Sequence, residues 1–146
     1  MKKTLSIIAA VLWCGVIFFF SSQNGDSSSS TSAGVLRFLY NIVNFNMTWE
    51  VYHDTFSLII RKLAHFSEYF LLGVLLSNMF NTFKYKYYFY LAGIFGVLYA
   101  ISDELHQLFS SGRACSPVDM LIDSCGLILG VLLFYLVKYV TKRKSA

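Results

Sequence analysis

Four long apolar runs, each closed by polar or charged residues, limit this chain to very few architectures. The runs cover residues 5–20, 63–80, 87–101 and 118–137. A helix needs about 20 mostly apolar residues to cross a bilayer; the second and fourth runs suffice directly, and the other two with their flanks. We therefore predict an all-α, polytopic membrane protein with one domain, 1–146, four transmembrane helices at about 4–21, 58–80, 87–107 and 117–138, and an outer loop at 22–57.

The overall composition agrees with a membrane protein. Only 14% of the residues are charged, whereas soluble domains typically carry about 25%. The mean hydropathy is +0.57. The first run exceeds the usual apolar stretch of a cleaved signal peptide, so we expect it to be retained as a helix.

The basic residues predict the orientation of the helices. If the N-terminus is cytoplasmic and the chain crosses four times, most lysines fall on the cytoplasmic side, as the positive-inside tendency requires. All the acidic residues then lie outside or in the outer half of a helix. We therefore predict cytoplasmic N- and C-termini, and we attribute the net charge of +4 to topology and not to nucleic-acid binding. The cytoplasmic basic residues would be Lys2, Lys3, Lys84, Lys86, Lys138, Lys142, Arg143 and Lys144.

The predicted outer loop has two parts of different character. Residues 25–32 are rich in serine and are expected to be flexible. After them, Val35, Leu36, Leu39 and Ile42 recur at helical spacing. This pattern fits either an interfacial helix on the outer leaflet or a helix packed over the mouth of the bundle.

A first polar cluster lies on the second predicted helix. Arg61, His65 and Glu68 are spaced i, i+4, i+7 and share one face, while Lys62 lies on an adjacent stripe. Ionisable residues in membrane helices usually face a bundle interior or a water-filled cavity. The cluster therefore predicts either a binding site or an Arg61–Glu68 or His65–Glu68 contact that only holds helices together.

A second polar cluster ends the third predicted helix. Asp103, His106 and Gln107 share one face, whereas Glu104 points about 100° away from Asp103. Arg113 follows in the next connection. If this cluster and the first lie on the same side of the membrane, they can form one polar pocket.

The fourth predicted helix contributes a third set of polar residues. Ser116 is a suitable N-cap, and Asp119 fits either a capping role or a place in the pocket. Asp123 lies two turns into the helix, too deep for a cap. Asp119, Asp123, Gly126 and Gly130 form one stripe, whose glycines permit close helix contact.

These motifs together resemble the VanZ-like membrane proteins. The resemblance rests on Ser21-Ser22-Gln23, Arg61-Lys-x-x-His65-Phe-x-Glu68-Tyr69, Ser102-Asp103-Glu104-x-His106-Gln107, Arg113, and Asp119 with Gly126. It implies a small multi-spanning protein of the bacterial plasma membrane. The family's namesake is associated with resistance to the lipoglycopeptide teicoplanin, and no reaction is established for the family, so the resemblance implies no particular chemistry.

We expect the pocket to bind a polar group at the outer leaflet. The expected partners are the lipid bilayer and a lipid headgroup, cell-wall precursor or lipoglycopeptide; no cofactor and no metal are predicted, and the sequence does not define the oligomeric state. The alternative is an enzyme in which His65 with Glu68, or His106 with Asp103, supplies a base and its orienting group; transport fits less well. The candidate ligand-binding residues are Arg61, Lys62, His65, Glu68, Asp103, Glu104, His106, Gln107, Arg113, Asp119 and Asp123.

Overall fold

The computed structural model describes residues 1–23, 25–43, 48–109 and 116–144, with the backbone alone at 25–29, 43, 54 and 144. All regular structure in these residues is helical, which confirms the predicted all-α class. Four helices correspond to the four apolar runs, and one more precedes the second run. The helices are α1 (Lys2–Ser21), α2 (Gly25–Val43), α3 (Trp49–Thr82), α4 (Tyr88–Gln107) and α5 (Pro117–Lys144).

The segment 22–57, predicted as an outer loop with helical spacing after residue 33, contains α2 and the first turns of α3. The backbone of residues 25–32 is helical despite the serines that predicted a flexible stretch. Most helical stability in proteins comes from packing of an apolar face and not from local propensity. Here Leu36 of α2 is completely buried, and the ring of Tyr40 packs on Tyr52 and Trp49 of α3 at centroid distances of 5.2 and 5.6 Å.

Helix α3 organises the molecule because it contacts each of the other four helices. Its 34 residues span about 51 Å at about 1.5 Å per residue, more than the ~30 Å hydrocarbon core of a bilayer. The N-terminal part of α3 packs on α2. The remainder is surrounded by α1, α4 and α5 and lies at the centre of the bundle.

The most extensive helix contact joins α3 to α5, which run parallel to each other. Gly126 lies against Phe66, and Gly130 lies against Phe70. A Cβ added at either glycine would collide with the main-chain carbonyl oxygen of its neighbour. The Gly-x-x-x-Gly stripe of the sequence therefore lets two helix backbones approach closely.

Helices α1 and α4 run antiparallel to α3 and complete the core. The indole Nε1 of Trp13 donates a hydrogen bond to the carbonyl oxygen of Glu68 at 2.9 Å. The hydroxyl of Tyr99 donates to the carbonyl oxygen of Cys14 at 2.7 Å. Leu127 of α5 is fully buried at the centre of the bundle. These contacts tie α1 to both α3 and α4.

Two helices within the described residues, α1 and α5, are long and apolar enough to cross a membrane. Only 22% of the most apolar stretch of α1 and 28% of that of α5 are buried inside the protein. A core helix of a soluble protein would be mostly buried, so the exposed apolar surface indicates contact with lipid. Helices α3 and α4 carry the two polar clusters within their length.

Charged residues separate to the two ends of the bundle. At one end, which we call the basic end, the Nζ of Lys3 lies 5.2 Å from the ring centroid of Phe83, and Lys138 of α5 lies 5.8 Å from that of Phe134. At the other, the polar end, the C-terminal parts of α1 and α4 meet the first turns of α5 and the middle of α3. The segregation agrees with the charge pattern, and the cytoplasmic location of the basic end stays a prediction.

Candidate functional site

The polar end contains a cavity of about 180 Å³ where four helices meet. At ~30 Å³ per water molecule this space holds about six waters, and it is smaller than the ~300–1,000 Å³ of pockets for drug-sized ligands. It can therefore take one polar fragment of a ligand and not a whole amphiphile. The lining residues are Phe20, Ser21 and Gln23 of the α1 end, Thr31 and Ser32 of α2, Arg61, Ala64, His65 and Glu68 of α3, and Asp103 of α4.

Helical spacing explains why α3 contributes four lining residues. Arg61, His65 and Glu68 share the face predicted from their i, i+4, i+7 spacing, and Ala64 fills the gap between them. The face points towards the end of α1 because Trp13 fixes α1 at Glu68. The first polar cluster thus shares one cavity with Asp103 of the second cluster.

Asp103 is the most constrained acidic residue of the cavity lining. Its side chain is only 3% exposed. One carboxylate oxygen, Oδ2, accepts a long hydrogen bond of 3.5 Å from Nε2 of Gln107. The other oxygen, Oδ1, is buried and has no hydrogen-bond partner among the described residues. Because a buried polar atom without a partner is costly, Oδ1 is suited to accept a hydrogen bond from a guest or from the buried hydroxyl of Tyr69, which lies beside Asp103.

Asp123 lies behind the cavity, between α5 and α3. Its side chain is 1% exposed, and its Oδ1 lies 3.6 Å from Nδ1 of His65. Neither oxygen has a hydrogen-bond partner within the described part of the chain. Asp123 is also close enough to Asp103 and Glu68 to interact with their charges. His65 therefore lies between the cavity and a second buried acidic residue.

Lys62 and Asp119 form an ion pair beside the cavity. The Nζ of Lys62 lies 2.8 Å from Oδ1 of Asp119, and the two side chains are 43% and 32% exposed. The main-chain N–H of Asp119 donates to Oγ of Ser116 at 3.3 Å, so Ser116 caps α5 as predicted. This pair fastens the first turn of α5 to α3, and neither residue lines the cavity.

The end of α4 is fixed by contacts to α1 and α5. Oε1 of Glu104 accepts a hydrogen bond of 3.0 Å from the main-chain N–H of Ser116, and Glu104 is 1% exposed. The ring of His106 packs on Phe18 with the centroids 4.4 Å apart. Glu104 thus joins α4 to the start of α5, which positions the acidic residues of both helices.

The eleven predicted ligand residues occupy three kinds of position. Four line the cavity: Arg61, His65, Glu68 and Asp103. Six surround it at the same end of the bundle: Lys62, Glu104, His106, Gln107, Asp119 and Asp123. Arg113 lies outside the described residues.

The sequence interpretation did not assign Ser21, Gln23, Thr31, Ser32 or Tyr69 to the site. Ser21 and Gln23 end the first apolar run, so their polarity was a usable indication. Thr31 and Ser32 gave no such indication, because they belong to a serine-rich stretch that was expected to be flexible. Tyr69 is completely buried, and it lies close to both Asp103 and Asp123.

The described residues contain no group of three or more His, Cys, Asp or Glu side chains placed to hold a metal ion. The polar end contains both hydrogen-bond donors and hydrogen-bond acceptors. Arg61 can donate in a planar fork to anionic oxygens, and the carboxylates of Asp103 and Glu68 can accept from hydroxyl or ammonium groups.

Comparison with known proteins identifies the family. The sequence profile of the VanZ/LLP1 family matches residues 6–138, which includes every helix that forms the cavity. No curated protein matches the chain significantly, and neither does any solved structure. The match covers nearly the whole chain, and two helices have the length and apolar character of membrane spans. The chain therefore belongs to the VanZ/LLP1 family and is a membrane protein.

Proposed function

We propose that this protein crosses the bacterial plasma membrane four times and binds the polar group of an amphiphilic ligand in the cavity at its polar end. Helices α1, α3, α4 and α5 would be the crossings, with both termini and the basic end in the cytoplasm. The alternating directions of these four helices support such a path. The positive-inside tendency supports the orientation.

The proposal depends on one observation above all. The cavity is lined by Asp103, which is almost completely buried and has one carboxylate oxygen without a partner in the described part of the protein. Such an atom is costly unless something donates a hydrogen bond to it. A ligand with hydroxyl or ammonium donors would fulfil that need.

The rest of the lining suggests what kind of ligand fits. Arg61 lines the cavity and would bind an anionic oxygen such as that of a phosphate or carboxylate. Lys62 pairs with Asp119 outside the cavity, so Arg61 is the basic residue of the lining. The cavity thus combines one guanidinium with the carboxylates of Glu68 and Asp103, which suits a headgroup that carries both an anionic group and hydrogen-bond donors.

The position of α2 supports access from the membrane surface. Thr31 and Ser32 line the cavity, while Val35, Phe38 and Ile42, further along α2, form an apolar stripe with exposed fractions of 48, 64 and 63%. An apolar outward face is typical of a helix at a membrane interface. The ligand's headgroup would enter beside α2, and its hydrophobic part would stay in the outer leaflet. Lipid-linked cell-wall precursors and lipoglycopeptides both combine a polar headgroup with a hydrophobic part.

The experiment is to identify the amphiphiles that co-purify with the protein in native membrane discs by mass spectrometry. Wild type is compared with Asp103→Asn and with the matched control Asp119→Asn, which removes a carboxylate at the same end but outside the cavity. We expect one amphiphile class to be enriched with wild type and Asp119→Asn and to fall at least about tenfold in Asp103→Asn, because hydrogen bonds to charged groups contribute ~1.5–3 kcal/mol. Identical amphiphile profiles for all three proteins would contradict the proposal.

A second candidate function is catalysis on the same ligand. The observation that favours it is the 3.6 Å distance between Nδ1 of His65 and Oδ1 of the buried Asp123, since a general base is commonly oriented by a carboxylate. Catalysis predicts that incubation with a membrane lipid extract changes the mass of one component, and that His65→Ala abolishes this change. Stoichiometric retention of an unchanged lipid would indicate binding alone.

Teicoplanin is one amphiphile to include, since the family's namesake is linked to resistance against it. If this protein takes part in such resistance, its expression in a susceptible host raises the inhibitory concentration of teicoplanin. Asp103→Asn should remove that increase, and Asp119→Asn should retain it. An unchanged inhibitory concentration with the wild-type protein present in the membrane would exclude this role.

A further inference from the structure

The basic end carries a surface that the polar-end cavity does not explain. A groove of about 580 Å³ lies there between the end of α3, the start of α4 and the second half of α5. Its polar lining includes Lys138 and Lys142, one helical turn apart on α5, together with Asn81 and Tyr139. Two ammonium groups on one helix face, with amide and hydroxyl donors beside them, suit an anion with several oxygens.

The groove continues along the face between α4 and α5. Tyr88 and Tyr135 line it and also line an adjoining groove of about 330 Å³ that includes Lys86. Phe89 and Tyr90 of this second groove in turn line a third, of about 440 Å³. Shared lining residues therefore connect the three grooves into one path.

The character of the path changes from polar to apolar along its length. The third groove is lined by aliphatic and aromatic side chains and by Gly93, where a Cβ would meet nothing within 4 Å. Gly93 thus leaves open space on the surface of α4. A path that begins at lysines, passes tyrosines and ends in an apolar groove matches a molecule with an anionic headgroup and a hydrocarbon chain.

The distribution of acidic residues strengthens this match. None of the residues that line the three grooves is acidic. An anion at Lys138 and Lys142 would therefore meet no carboxylate of the lining. Basic pockets between membrane helices on the cytoplasmic side are known to bind the headgroups of anionic lipids.

We propose that the face between α4 and α5 is a binding site for an anionic phospholipid. The phosphate lies at Lys138 and Lys142, the tyrosines flank the glycerol region, and one acyl chain occupies the groove beside Gly93. The site is separate from the polar-end cavity, lies at the opposite end of the bundle, and does not depend on the function proposed for that cavity.

The first experiment measures binding of phosphatidylglycerol to the full chain in phosphatidylcholine discs by native mass spectrometry. Lys138→Gln/Lys142→Gln removes the two groove lysines. Lys84→Gln/Arg143→Gln is the matched control, because it removes the same net charge from the basic end outside the three grooves. We expect about a tenfold or larger loss of lipid affinity in the first variant and less than about a twofold change in the second. Equal losses in both variants would overturn the proposal by showing general electrostatic attraction.

The second experiment separates a lipid from a free phosphate. Gly93→Leu places a side chain in the apolar groove, and Gly15→Leu is its control, because a Cβ at either glycine meets nothing within 4 Å. We expect Gly93→Leu to weaken phosphatidylglycerol binding at least fivefold, and Gly15→Leu to leave it unchanged. Soluble glycerol phosphate should not compete at concentrations similar to those of the lipid. Effective competition by glycerol phosphate, or an unchanged affinity in Gly93→Leu, would contradict a lipid site.

Discussion

The contact of α3 with α5 predicts that a single methyl group at Gly130 destabilises the protein. A Cβ at this position would collide with the main-chain carbonyl oxygen of Phe70, and one at Gly126 would do the same with that of Phe66. The obstructing atoms belong to a helix backbone and cannot rotate away. Relief therefore requires α5 to move away from α3.

The magnitude follows from two opposing effects. Forcing an extra methyl group into a packed interior costs about 1–3 kcal/mol, and a backbone obstacle places Gly130→Ala towards the upper end of that range. Replacing glycine by alanine inside a helix returns roughly 0.5–1 kcal/mol of backbone entropy. We therefore expect Gly130→Ala to lower the free energy of unfolding by about 1–2 kcal/mol, and Gly126→Ala/Gly130→Ala to lower it by more.

The measurement is reversible unfolding in mixed micelles with increasing dodecyl sulfate, followed by tryptophan fluorescence. Gly15→Ala and Gly93→Ala are the matched controls, because the same methyl group meets nothing within 4 Å at either site. Both controls should be as stable as wild type or slightly more stable. Equal stabilities of Gly130→Ala and Gly93→Ala would refute the close contact between the α3 and α5 backbones.

Three further predictions concern the contacts around the cavity. A double-mutant cycle between Lys62→Met and Asp119→Leu should give a coupling energy of about 0.2–1 kcal/mol in the same unfolding assay, because the ion pair is partly exposed. A coupling energy near zero would show that the pair does not stabilise the contact between α3 and α5. Trp13→Phe should lower the free energy of unfolding by about 0.5–1.5 kcal/mol through loss of the hydrogen bond to the carbonyl oxygen of Glu68, and wild-type stability would argue against that bond. Ser116→Ala should cost about 0.5–2 kcal/mol through loss of the α5 cap, whereas Ser102→Ala, at an exposed position, should cost less.

Helices α1, α3, α4 and α5 were predictable because each contains a long run of apolar residues. Long runs of apolar residues with few charges favour helices, because a helix satisfies all of its backbone hydrogen bonds internally. Their ends were also marked, by Ser116 before α5 and by the polar residues that follow Phe20. Helix α2 was harder to predict, because its serine-rich start has little helix propensity. Its packing depends on Tyr52 and Trp49, which lie in another helix.

Residues of the candidate site were predictable by type but not by partner. Helical spacing placed Arg61, His65 and Glu68 on one face, and that face lines the cavity. Spacing within one helix could not show that His65 faces Asp123 across the contact with α5. The rotation of two helices about their axes depends on where their backbones can approach, and the glycines of α5 decide it.

The stripe on α5 that seats this helix also has a consequence for biogenesis. Gly126 and Gly130 allow α5 to pack closely on α3. The same packing places Asp123, one turn earlier on α5, next to His65. A ribosome completes α5 after the other four helices. Before α5 is made, the chain already contains the cavity-lining Arg61, His65, Glu68 and Asp103, but it lacks Asp123, the buried carboxylate that lies next to His65. The packing of α5 on α3 thus also completes the contact of His65 with Asp123, whereas the residues that line the cavity all precede α5 in the chain.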